Sequence, residues 1–332
     1  MSMDGCPSFA TLTATVRRAA NGDLPPPAHN YTENAMKIGL HDSDDTGFPN
    51  YALMKISAWH KAQGDTVEWW IPMCEYDRVY SSKVFTFTPE NPYLPENTIR
   101  GGVGYGSYDP LPDEIDNIFP DYSIYPEVDY AIGFLTRGCI RKCPWCVVPK
   151  KEGMIHPYRT WQEIKRPDSR KIVFMDNNVL ACPHGIEQMK DMVGKKVWVD
   201  FNQGLDARLV TDEISEILAG RGWIRQIRTA CDTDANMEAV GTMVERLGKF
   251  GVKPRKVFVY VLVQDIESAS RRVQFLRDLG CDPFAQPYRD FTTNAEPDRK
   301  LKDFARWVND KAIFKTVKTF EEYKGRKRNA AE

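Results

Sequence analysis

The chain has 332 residues, with 45 basic and 46 acidic side chains and a formal net charge of -1. Apolar residues make up 42% and charged residues 27%, which suits a soluble globular chain of one or two domains. The near-neutral balance argues against a protein built around non-specific nucleic-acid or membrane-surface binding, and no apolar run nears the ~18 residues of a membrane span.

Residues 1–35 read as a poorly ordered extension, with Pro25-Pro26-Pro27, small polar residues and one short helical stretch at 11–20. Met36 opens the first strong pattern. A strand is expected over 37–41 and a helix over 51–63, where Leu53, Ile56 and Trp59 recur at helical spacing and Gly64 gives the stop. Next come a strand at 67–71, a short helix at 75–80, a strand at 84–88, and the run Gly101-Gly102-Val103-Gly104-Tyr105-Gly106. This alternation suggests a small doubly wound, Rossmann-like domain over 36–125.

A second series opens at Asp129. Strands are expected at 130–135, 171–175, 197–201, 226–230, 256–263 and 283–287. Helices are expected at 160–165, 185–193, 211–219, 235–250 and 266–279. That gives about six βα units over 126–290, short of the ~250 residues of a full eight-unit barrel. The pattern fits a partial (βα)6 TIM-like barrel or an open α/β sheet. A helical tail follows over 291–332, with a basic end at 324–328 that reads as solubilising.

The chain holds eight cysteines. Five are scattered: Cys6, Cys74, Cys182, Cys231 and Cys281. Cys139, Cys143 and Cys146 cluster in the stretch Thr136-Arg137-Gly138-Cys139-Ile140-Arg141-Lys142-Cys143-Pro144-Trp145-Cys146. With no apolar signal segment at the N-terminus, the cluster reads as metal binding in a reducing compartment, and a cytoplasmic location is expected. Three thiolates on one loop can hold three corners of a four-iron cluster, which normally takes four Cys ligands. The remaining iron is then open to a ligand that is not protein. A zinc site is the competing reading. Only Cys143 and Cys146 have the usual C-x2-C spacing, and a fourth ligand would come from afar, such as His156, Cys182 or His184.

The spacing C-x3-C-x2-C, its place after the first strand of a six-unit series, and the aromatic Trp145 resemble the radical S-adenosylmethionine superfamily. The resemblance covers about residues 129–290. It implies a [4Fe-4S] cluster held by Cys139, Cys143 and Cys146, with S-adenosyl-L-methionine chelated at the open iron. It implies reductive cleavage to a 5′-deoxyadenosyl radical that abstracts hydrogen from a substrate, the identity of which the sequence leaves open. Trp145 would pack near the adenine. Asp176 and Asn177 follow the second strand, where the family commonly has a Gly-Gly-Glu-like motif for the cofactor's amino group; the Gly pair is absent here. Gln203, Asp206 and Arg208 follow the third strand, as candidates for the ribose, the carboxylate or the substrate. Asp232, Asp234, Gln264 and Asp265 follow later strands, with turn and N-cap roles as the competing reading. Arg137, Arg141, Lys142, Lys150 and Lys151 would draw an anionic substrate or a reductant such as flavodoxin or ferredoxin.

A doubly wound domain ahead of this motif resembles the cobalamin-binding domain of one radical S-adenosylmethionine subfamily, which raises cobalamin-dependent methyl transfer as the rival reaction. The ligand motif there is Asp-x-His-x-x-Gly. Here Asp42-Ser43-Asp44-Asp45-Thr46-Gly47 puts Asp44 in place of the axial His, and a carboxylate is a poor ligand for cobalt. From another class, a non-catalytic module that uses zinc to fix a loop remains open.

Overall fold

The computed structural model describes residues 35–290 and 293–325. Apart from Ala35, the extension expected over 1–35 lies outside them, as does most of the basic end. The chain divides into two compact units at Tyr125 and Pro126.

The first unit contains β1 (Lys37–Asp42), α1 (Tyr51–Ala62), β2 (Thr66–Trp69), β3 (Arg78–Ser82), β4 (Ile99–Gly101) and the one-turn α2 (Asp113–Asp116). Its four strands are all parallel, in the order β2-β1-β3-β4. Asn50 starts α1 by accepting the Leu53 N–H at 3.3 Å. The helix buries Leu53 and Ile56 against Ile38, Leu40 and Tyr80. His60, wholly buried, joins Asp65 at 2.6 Å to the Tyr80 hydroxyl at 3.0 Å, so helix, turn and β3 share one polar bridge.

Two expectations for this unit fail. The segment expected as a helix over 75–80 enters β3 at Arg78, because Val79 and Tyr80 are needed in the core beside β1. The segment expected as a strand over 84–88 is an exposed turn. Its apolar–Thr alternation looks like a strand, but the Asp44 carboxylate takes the Val84 N–H at 2.5 Å and the Phe85 N–H at 3.3 Å. Those donors are thereby lost to any ladder. Among the described residues, α1 is the long helix of this unit, so the doubly wound arrangement is represented only by its sheet.

The second unit begins with β5 (Ala131–Gly133), β6 (Thr136–Arg137), α3 (Val148–Lys151), β7 (His156–Pro157) and α4 (Trp161–Ile164). It continues with β8 (Lys171–Phe174), α5 (Pro183–Asp191), β9 (Trp198–Phe201), α6 (Asp212–Ala219) and β10 (Gly222–Trp223). β11 (Ile227–Ala230), α7 (Met237–Lys249), β12 (Val257–Val263), α8 (Ile266–Asp278), β13 (Asp282–Pro287), α9 (Arg299–Asn309) and α10 (Lys311–Thr316) complete it. One parallel sheet runs β10-β9-β8-β5 and a second runs β11-β12-β13. They meet where Leu205, just past β9, bridges Thr229 of β11 in parallel. There the Leu205 N–H donates to Arg228 O at 2.8 Å and the Thr229 hydroxyl donates to Leu205 O at 2.8 Å.

Burial explains these strands. In β12 Val257, Val259, Val261 and Val263 are fully buried, while the residues between them are half-buried, as expected of a parallel strand covered on both faces. Arg228 of β11 forks onto Asp200 of β9 with two bonds of 2.7 Å, and also reaches the Tyr260 hydroxyl of β12. The helical tail belongs to the same core. Phe304, Trp307 and Val308 of α9 are buried in it, and the Asn309 amide exchanges two bonds with the Ala285 backbone of β13. The chain is thus a mixed α/β protein with parallel sheets and a helical C-terminal region. No helix among the described residues is long and apolar enough to cross a membrane.

Phe174 and Phe201 stack at 5.0 Å between centroids, both fully buried. Phe201→Ala is expected to cost about 3–5 kcal/mol in urea unfolding. A loss near zero would mean that this stack is not central to the core.

Candidate functional site

The cysteine loop is built as a clamp. β5 leads through Leu135 into β6, which pairs antiparallel with β7, so residues 138–155 are pinched at their base. Arg137 closes the clamp with a two-bond fork to Glu152, at 2.7 and 2.8 Å, and its guanidinium lies 4.3 Å from the centre of the Phe134 ring. Gly138 turns the chain with φ +84, and a Cβ there would sit 2.4 Å from Met154 O, so only glycine fits. The Cys139 N–H then donates to Gly153 O, and the Cys146 N–H to Cys143 O.

The strand end beside this loop carries a deeply buried carboxylate. Asp176, just past β8, accepts the Leu135 N–H at 3.0 Å, the Thr136 N–H at 2.6 Å and the Thr136 hydroxyl at 2.7 Å. Burial pushes its carboxyl up to about 6, although those three donors pull the other way. Both oxygens are therefore engaged in holding the start of the cysteine loop. Of the two polar residues that follow, Asn178 is 3% exposed. Its Nδ2 donates to Cys139 Sγ at 3.5 Å, and Cys139 Sγ also accepts the Arg141 N–H at 3.3 Å. The amide oxygens of Asn177 and Asn178 are buried with no hydrogen-bond partner. Such an orphaned acceptor is costly and marks a place where a donor belongs.

Past β9, Asp206 sits between two guanidiniums. Arg141, from the cysteine loop, reaches it at 2.9 Å, and Arg208 at 2.7 Å. Burial alone would raise its carboxyl, but the bonds from Arg208 and Arg141 outweigh that and hold it below the ordinary value. Asn178 also lies 3.4 Å from it. The structure thus brings Cys139, Asn178, Asp206, Arg141 and Arg208 into one network. Gln203 is exposed and bonded to Asn202, and Trp145 is half-buried beside Cys146.

Burial raises the Cys143 and Cys146 thiols, with Arg208 opposing it at Cys143 and the Val148 N–H at Cys146. A bound metal would favour the thiolates. Asp232, past β11, is one of the candidates for which a turn role was the competing reading. It is half-buried, desolvation raises its carboxyl, and its charge acts on both thiols. Its position after a buried strand was the only signal for it. Asp234 pairs with Arg271, and Asp265 caps α8 through the Ser268 N–H, so both do structural work. Among the described residues, no three His, Cys, Asp or Glu side chains converge to hold a single ion. His156 and His184, the distant candidates for zinc, each bond a backbone carbonyl, of Met154 and Arg159.

The basic collar is only partly available to a partner, since Arg137 and Arg141 are paired within the site. In the first unit, the residues do not fit a lower axial cobalt ligand. The Asp44 carboxylate also takes the Thr88 hydroxyl, besides the two N–H groups above. The His41 ring is held between Ser81 at 2.9 Å and Asn91 at 3.2 Å. The glycine run has a packing reason: a Cβ on Gly102 would lie 2.4 Å from Lys83 O, and one on Gly104 would lie 2.8 Å from Phe85 O.

No protein-family model matches the chain, and no curated protein is significantly similar to it. The site is therefore read from its own residues.

Asp176→Ala strands two buried N–H donors, which costs about 2–6 kcal/mol. Against that, a folded-state value near 6, above the unfolded 3.8, means that the native state binds the extra proton. Asp176's contribution to stability is then full below pH ~4 and falls by about 3 kcal/mol as pH rises to ~6. The destabilisation of Asp176→Ala, measured by urea unfolding, is expected to be larger at pH ~4.5 than at pH ~7.5. Equal losses at both would contradict the raised carboxyl.

Proposed function

We propose that this protein is a radical S-adenosylmethionine enzyme, with its second unit a partial (βα)6 barrel. The observation that carries the reading is the three-cysteine loop at the C-terminal edge of parallel strands, where such folds place their chemistry. The run of strands in chain order, joined at the Leu205–Thr229 bridge, supports the barrel. The parallel order β2-β1-β3-β4 supports a Rossmann-like first unit.

The donor chemistry suits the group, whose assembly would draw together three thiols that do not converge on one ion in this structure. Cys139, Cys143 and Cys146 would hold a [4Fe-4S] cluster through three of its irons, leaving one for S-adenosylmethionine. When bound, the cluster supplies the electron that cleaves S-adenosylmethionine to methionine and a 5′-deoxyadenosyl radical. The chain's own residues bind and orient. The orphaned Asn177 and Asn178 oxygens match the cofactor's ammonium donors. Arg208, 40% exposed, has N–H groups left for its carboxylate. Asp206 fixes Arg208 and Arg141 in place, and Trp145 offers a ring for the adenine. Asp176 positions the loop and touches no cofactor in this assignment. The N–H bonds from Asn178 and Arg141 to Cys139 Sγ favour that residue as a thiolate ligand.

Anaerobic reconstitution with iron and sulfide is expected to give a brown protein that, with dithionite, releases 5′-deoxyadenosine. Cys143→Ala is expected to lose both the colour and the product. Normal iron content in that variant, or stoichiometric zinc in the native chain, would overturn the assignment.

A further inference from the structure

At the opposite edge of the second unit's sheets, the chain forms a cavity of about 360 Å3. It opens at the N-terminal ends of β11 and β12. The seven residues of β12 put about 20 Å between that edge and the strand ends that face the cysteine loop, so this is a separate place on the molecule.

Its walls have two characters. Arg225, Lys253, Arg255 and Lys256 line one part, all four exposed, and no acidic residue lines the cavity. Leu218, Trp223 and Val252 line the other. Trp223 is half-buried, and its indole N–H is tied to Leu218 O at 3.0 Å, so the apolar wall is fixed.

The four lining cations share one wall of the cavity. Several other basic groups of this unit do find acids: Arg228 with Asp200, Arg271 with Asp234, Lys249 with Asp212, Lys311 with Asp282. Among the described residues none of the four lining cations has such a pair. Their mutual repulsion is unfavourable in the free protein and is relieved by an anion. The C-terminal ends of α6 and α7 point toward this edge and would attract cations on their own. Both ends are closed by their own turns, however: the Gly220 N–H bonds Glu216 O, and the Gly251 and Val252 N–H groups bond Gly248 O and Leu247 O. The cations of α7's own last turn, Arg246 and Lys249, already pair with Asp212.

We propose that this cavity is a second binding site, for a nucleoside phosphate. The cations would take the phosphate, with the two arginines able to fork it, and the apolar wall would take the base. A volume of this size is in the range of small-molecule sites, and a flat ring against Trp223 with charge at one end matches its two-sided lining. The same chemistry is presented by a free mononucleotide and by the end of a single nucleic-acid strand. The site stands apart from the radical reading and does not depend on it.

The test is equilibrium titration of the full chain with AMP and ATP, with a short single-stranded RNA, and with inorganic phosphate as the control. Saturable binding of the mononucleotides, weakened at least about tenfold in the double variant Arg255→Glu/Lys253→Glu and weakened by added salt, is the result expected. Binding of the RNA alone with the same loss in the variant also supports the site and assigns its phosphate to a strand end. Absence of binding by both the mononucleotides and the RNA overturns the proposal. So does binding that ignores the substitutions, or inorganic phosphate competing as well as the nucleotides. An unchanged unfolding midpoint and iron content in the variant show that its fold, and the cysteine site, are intact.

Discussion

A buried carboxylate holds the start of the cysteine loop. Asp176 gathers two main-chain N–H groups and one hydroxyl from a segment some 40 residues earlier, where β5 has just ended. Both main-chain donors lie past the end of β5, and the carboxylate receives them at 3.0 and 2.6 Å. The rest of the loop inherits its placement from that anchor: the β6–β7 pairing, the Arg137–Glu152 fork and the Gly138 turn all follow from where Leu135 and Thr136 are fixed. Asp206 repeats the device one strand further on, and there its partners are the arginines of the loop itself and of its own turn. Because every strand involved is parallel, all these carboxylates arrive on one edge.

The two edges of the sheets consequently differ in charge. The C-terminal edge carries Asp176, Asp206 and Asp232 beside the thiols, with arginines bonded among them. At the N-terminal edge, four cations line a half-apolar cavity that no acidic residue lines. A net charge of -1 does not reveal this arrangement. The overall balance therefore says little about what either edge binds.

The second unit was largely legible in its sequence. Strands buried on both faces read as short apolar runs, and helices such as α6 and α8 announce themselves by N-caps at Thr211 and Asp265. Boundaries moved only by a residue or two, as helix and strand ends do. The first unit was harder. β3 has buried serines where an apolar run would have marked it, and the 84–88 segment has a strand's alternation while its N–H groups are taken by Asp44. Glycines 102 and 104 fall in the run expected within the doubly wound domain, and what they accommodate is the backbone of Lys83 and Phe85. At the site, the cysteines were visible by spacing alone. The work of Asp176, Asn178 and Asp232 was not, because each acts on residues distant in the chain, and only the folded sheet brings them together.

The account rests on the proposal that three thiols hold a four-iron cluster and leave one iron open to an outside ligand. Electron paramagnetic resonance of the reduced, reconstituted protein, recorded before and after adding S-adenosylmethionine, tests this directly. A shift of the cluster signal on addition is expected, since the added molecule takes the open iron. A cluster signal identical with and without it would contradict the account.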